Sequence, residues 1–172
     1  MLALTSEKAG RSVHVDGAVV ILPAPDVPVA IARPGYGVRS IGLASVRPVI
    51  VSLDYDGGGG GVIAGVARPG SVVHLSIDGL EAAVARTDAQ GRFVAPAIKQ
   101  PLKAGQRLIR VENSDGAAQI QTEVRPTGRL DGVYAADRQA DGWRLDWRSG
   151  ARAVQSTVIF DSAQQAQGGS VR

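Results

Sequence analysis

Apolar and polar residues alternate with a period of two along most of this chain, and short Gly, Pro and Asp-Gly signals interrupt the alternation. That pattern predicts strands rather than helices. In Ser71–Asp78, Val73, Leu75 and Ile77 share one face, while Val72, His74 and Ser76 share the other. Val49–Tyr55 reads as another strand, with apolar residues at 49, 51 and 53 and Ile50 on the opposite face. Val62–Ala67, Glu81–Arg86, Phe93–Ala97, Gln106–Glu112 and Ala118–Val124 complete seven short strands between Pro48 and Pro126. Between them lie Pro69-Gly70, Asp78-Gly79, Thr87–Gly91 and Asn113–Gly116. These are turn signals, because Asp and Asn bond their own backbone and Gly accepts a positive φ.

On the N-terminal side, Ala18–Leu22, Val27–Ala32 and Val38–Val46 are apolar runs interrupted by Pro23, Pro25, Pro28 and Pro34. Proline cannot donate to a ladder, so these are expected as edge strands or extended arms. Residues 1–11 are polar and expected to fray. On the C-terminal side, Leu130–Ala136, Gly142–Trp147 and Ala153–Phe160 predict a meander turned at Asp141-Gly142 and Ser149-Gly150. Trp143, Leu145 and Trp147 fall on one face of its middle strand; Val154, Ser156, Val158 and Phe160 share a face of its last. The meander either extends the central unit or packs on the N-terminal strands. The expected organisation is an edge-strand arm over 1–47, a sandwich over 48–126, a meander over 127–161 and a disordered tail over 162–172.

Composition narrows the picture. A chain of 172 residues can bury a real core. Its 22 glycines and nine prolines suit a turn-rich β protein. Aromatic residues make up only 4%, so the core must be largely aliphatic. The net charge is +3 and the arginines sit singly. Nucleic-acid binding needs a basic stripe or patch, so it is not expected. The absence of cysteine removes disulfides, thiolate metal sites and Cys nucleophiles. No apolar run is long enough for an integral membrane segment, nor does MLALTSEKAGRSVHVDG hold the apolar stretch of a signal peptide.

Candidate chemistry is sparse. His14 and His74 are the only histidines, and His74 is expected to point outward from its strand. No G-x-S-x-G elbow occurs. Asp54 and Asp56 precede the run Gly57–Gly61 and superficially suggest a calcium loop. Calcium takes about six to eight oxygens, and no downstream Glu completes a set here. Both aspartates are read as turn-forming, and the glycines as a hairpin tip. No catalytic, metal-binding or cofactor residue is expected. The candidate interaction surface is Trp143, Trp147 and Tyr134, since indoles on one strand face can stack on a sugar or anchor a partner, though they also suit a core.

Residues 48–126 resemble bacterial immunoglobulin-like repeat domains of envelope and surface proteins. The resemblance rests on Gly65, Ala67, Pro69 and Gly70 at the first turn and on Asp78-Gly79 at the next. It continues through Thr87, Asp88, Gly91 and Phe93 in a T-D-x-x-G-x-F hairpin, then Ala104, Gly105, Ile109 and Val111. With its W-R-L-D-W and V-Q-S-T-V-I-F ending, the chain looks like periplasmic proteins of alphaproteobacteria that carry such a domain. Carboxypeptidase-regulatory-like sandwiches share the hairpin and are a close rival for the fold. The resemblance implies an all-β, Ig-like antiparallel β-sandwich with extra N-terminal strands and a C-terminal β-meander, located in the periplasm or at the cell surface. It implies a non-catalytic structural role with a protein partner or self-association. Edge-strand pairing, with the Pro-rich arm as donor or acceptor, is the expected mechanism. The alternative is a carbohydrate-binding module that takes a glycan or peptidoglycan fragment on Trp143 and Trp147.

Overall fold

The computed structural model describes residues 4–8, 11–15, 18–20, 29–32, 36–97, 101–126, 128, 130–132, 134–149, 153–161 and 165. The N-terminal region supplies β1 (Leu4–Lys8), β2 (Arg11–Val15), β3 (Ala18–Val20), β4 (Val29–Ala32) and β5 (Val38–Ile41). The central unit contains β6 (Val49–Asp56), β7 (Gly61–Val66), β8 (Val72–Ile77), β9 (Leu80–Arg86), β10 (Arg92–Ala97), β11 (Gly105–Asn113) and β12 (Gly116–Val124). The meander is β13 (Tyr134–Arg138), β14 (Gly142–Ser149) and β15 (Ala153–Phe160).

These strands form an antiparallel β-sandwich. A six-stranded sheet of order β10-β7-β6-β15-β14-β13 packs on a four-stranded sheet of order β12-β11-β8-β9. The large sheet sends Ile50, Leu53, Ile63, Phe93 and Val158 into the core, where they meet Val73, Leu75, Ile109, Val111 and Ile120 from the small one. The core is aliphatic with few rings, as the composition requires. His74 lies on the outer face of the small sheet, exposed.

The meander extends the central unit: β15 pairs with β6, running from Gln155 opposite Asp56 to Ile159 opposite Ser52. It also meets the N-terminal strands. Trp147, Leu145, Ile159 and Val51 form a second apolar cluster on the far face of the large sheet, covered by Ala32 of β4 and Val38 of β5. β3, β4 and β5 form their own sheet, and β1 and β2 pair as a separate hairpin whose first strand falls within residues 1–11, expected to fray.

Two local departures have clear causes. The register of β6 against β7 slips between Ile50 and Ser52. This bulge places Val51 in the outer cluster while Ile50 and Leu53 enter the main core, so 51 and 53 do not share a face. The first meander strand begins at Tyr134 rather than Leu130: Leu130 is half-buried but unpaired, and the exposed Asp131 and Gly132 follow it before pairing with β14 starts. A Cβ at Gly65 would collide with the Val49 carbonyl oxygen and with the Phe93 ring. Phe93 sits directly opposite in the ladder, so its ring fills the space the glycine leaves.

Turn chemistry is as the dipeptides suggest. Asp78 (φ 53) and Gly79 (φ 80) close the two-residue hairpin between Ile77 and Leu80. Asp88 clamps the next turn, accepting bonds from the Gln90 and Arg92 amides at 2.9 Å each and from Arg92 Nε at 2.8 Å. Partial burial pushes its carboxyl pKa up, but the bonds from Arg92 and Gln90 outweigh this and hold it below the ordinary value. A depressed folded-state pKa adds stability above the unfolded value, about 3.9, that is lost as pH falls through the folded one. Asp88→Ala is expected to cost about 1–2 kcal/mol at neutral pH. In urea melts the gap from wild type narrows in acid; a gap independent of pH would show that the carboxylate charge contributes nothing.

Candidate functional site

β12 lies over β6, so β14 and β13 extend past the small sheet as an overhang. Strand β13 ends the large sheet: it pairs with β14 from Tyr134 opposite Trp147 to Arg138 opposite Trp143, and its other side carries no strand among the described residues. All five of its residues are exposed, Tyr134 at 48%. The candidate surface of Trp143, Trp147 and Tyr134 therefore lies on one sheet face but in unequal environments. Trp147 is only 6% exposed, and its Nε1 donates to Thr157 Oγ1 at 3.1 Å. Trp143 is half-buried against the second cluster, with the Arg138 guanidinium 5.9 Å over its ring. An open stacking platform needs two accessible indoles, and Trp147 is enclosed.

The opposite face of β14 carries a buried polar knot. Alternation puts Arg144 and Asp146 there, opposite Val158 and Ser156 of β15. Arg144 is 6% exposed. Its Nε donates to Asp146 Oδ1 at 2.9 Å and its Nη2 to Ser156 Oγ at 3.0 Å, while Ser156 Oγ donates to Asp146 Oδ1 at 2.5 Å. The guanidinium lies 5.7 Å over the ring of Tyr55, whose hydroxyl accepts the Arg125 amide. Arg144 Nη1 has no partner among the described residues. These contacts tie β14 to β15 at the base of the overhang.

Asp54 departs from the turn reading. It is fully buried on the outer face of β6, and its Oδ2 accepts the Gly37 amide at 2.9 Å. Beside it, Ser52 Oγ accepts the Val38 amide at 3.0 Å. The two side chains thus fasten β5 onto the large sheet. Asp56 does act as a turn residue, its Oδ1 accepting the Gly58 and Gly60 amides. Next to β5 opens a groove of about 600 Å³ with Val51, Phe93 and Val94 in its walls and Arg39, Arg86 and Arg92 around it. At the C-terminal end, the Gln165 amide accepts from the Ile50 N–H at 2.6 Å and donates to the Ile50 carbonyl. Gln165 thereby occupies a ladder position on β6 beyond β15; the rest of 162–172 lies outside the described residues, as does His14 beyond its place in β2.

Among the described residues no helix is long and apolar enough to cross a membrane, and no group of three or more His, Asp or Glu could hold a metal ion. The chain matches no protein-family model, no curated protein and no solved structure. Sequence reasoning missed Arg144 and Asp146. In W-R-L-D-W they alternate with three apolar residues, a pattern that by itself turns them to solvent; their burial follows from the long-range placement of β15 beside β6.

Proposed function

We propose that this chain is a non-catalytic structural and interaction protein of the bacterial cell envelope, an Ig-like sandwich that associates through its strand edges. The observation that carries the reading is β13: a strand of the large sheet, exposed along all five residues, with one side of its ladder open among the described residues. An open ladder presents N–H and C=O groups that another chain can complete. The turn motifs shared with envelope Ig-like repeats support the cell-envelope setting.

The N-terminal region offers two elements. β4 and β5 cover Trp147 and are part of the fold, whereas among the described residues β1 and β2 pair only with each other. The experiment is size-exclusion chromatography with light scattering, over a range of concentrations, on the full chain and on a chain beginning at Ala18. A mass above the monomer that grows with concentration is expected. Association lost without the hairpin assigns it to β1–β2, and association retained assigns it to the sandwich edges. A monomer in both chains throughout overturns the reading.

A further inference from the structure

We propose that β13 is a self-pairing edge: it aligns antiparallel with β13 of a second copy, in the register that sets Ala136 opposite Ala136. This rests on the reading that the protein associates through strand edges, and names the edge, the partner and the register. The two six-stranded sheets would join into one continuous sheet about a two-fold axis.

The strand is built to accept a neighbour. Tyr134–Arg138 contains no Pro, no Gly and no Lys, and its five pairs with β14 run without a bulge. Pro, Lys and bulges are devices by which sheets protect an edge; short length and charge are others, and this strand has five residues and two charges. One of its two charges, Arg138, is paired within the same chain. Arg138 Nη2 meets Asp161 Oδ2 at 2.5 Å. A second edge therefore meets one charge already paired, Arg138, and the carboxylate of Asp137.

The sequence of the strand then selects one alignment. An axis perpendicular to the sheet keeps the two outer faces together, so residues that meet must share a face. Centring on Asp137 or Arg138 would oppose like charges, which is destabilising in directly facing pairs. Centring on Ala135 would shorten the ladder and set Arg138 against Gly132. Centring on Ala136 uses the whole strand: Tyr134 faces Arg138 of the second copy twice over, and Ala135 faces Asp137. Tyr134, about half exposed, would pack along the stem of that Arg138, whose guanidinium stays over Trp143 and against Asp161. Small alanines at and beside the axis let the backbones close. Self-complementarity of this kind fits a second copy of this chain rather than an unrelated strand. One short ladder falls below the area of about 1,200 Å² typical of stable complexes, so the dimer is weak and depends on concentration.

The chain has no cysteine, so single-cysteine variants report register without interference. Ala136→Cys and Ala135→Cys, both at exposed positions, are oxidised or treated with a short bis-maleimide and resolved on a non-reducing gel. A covalent dimer from Ala136→Cys and much less from Ala135→Cys is the expected result. Ala136→Asp places like charges at the axis and should run as a monomer at concentrations where wild type dimerises, with an unchanged circular dichroism spectrum. Wild-type association that persists in Ala136→Asp, with the Ala136→Cys variant failing to cross-link, overturns this edge but leaves association through other edges standing. A wild type that stays monomeric, with or without the hairpin, overturns both.

Discussion

Trp147→Ala is expected to lower the free energy of unfolding by about 3–5 kcal/mol, the range for removing a large aromatic residue from a packed core. The indole is enclosed by Leu145, Ile159, Val51, Ala32 and Val38, contributed by strands of two different sheets. Its loss opens a cavity that the flanking strands cannot fill, because Val51 is held by the bulge and Ile159 by the ladder with β6. It also strips the fully buried Thr157 hydroxyl of a donor, and a buried polar group left unpaired adds its own penalty. Trp143→Ala, half-buried and lying under Arg138, is expected to cost less. Urea denaturation followed by far-ultraviolet circular dichroism measures both. A Trp147→Ala loss below about 1 kcal/mol, ordinary for a surface site, would mean that β4 and β5 do not cover this face.

The same residue shows how far the sequence could be read. Period-two alternation in G-W-R-L-D-W placed Trp143, Leu145 and Trp147 together, and the ladder with β15 agrees. Which body covers that face was not legible. The answer depends on Ala32 and Val38 arriving from a Pro-interrupted segment more than 100 residues away in sequence, and local pattern carries no information about such closure. The seven strands of the central unit were legible because each is bounded by turn chemistry that acts over a few residues. Asp78-Gly79 and Asp88 are examples: the positive φ pair and the Asp88 clamp act within their own turns, although the Asp78 carboxylate also reaches Arg107 and Leu108 of β11.

The face assignment of β6 was not legible, because one extra residue at Val51 inverts the alternation and no propensity marks a bulge without Gly. Asp54 illustrates the same limit. An Asp shortly before a glycine run looks like turn chemistry, yet its partner is the Gly37 amide, 17 residues upstream. The β13 edge was only half visible. Its residues lay in or beside a predicted strand, but its place at the rim follows from β15 pairing with β6, a long-range match that sets the order of the whole sheet.

Asp146→Ala is expected to cost about 3 kcal/mol and to be repaired in part by a second change at Arg144. Removing one member of a buried ion pair leaves the other charge without compensation, at a cost of about 3–5 kcal/mol. The Asp146 side chain keeps 20% exposure against 6% for Arg144, which places the effect at the lower end. Without the carboxylate, Arg144 Nε loses its partner and Ser156 Oγ loses its acceptor, while Nη1 is already unpaired among the described residues. Arg144→Met removes the stranded charge and keeps an unbranched side chain against the Tyr55 ring. Replacement of buried ion pairs by apolar residues is often close to neutral. The double variant Arg144→Met, Asp146→Ala is therefore expected to be more stable than Asp146→Ala alone, with a coupling of about 1–3 kcal/mol. Chemical denaturation of the four chains closes the cycle. Strict additivity would show that the two side chains brace the overhang independently, and that the knot is not one electrostatic unit.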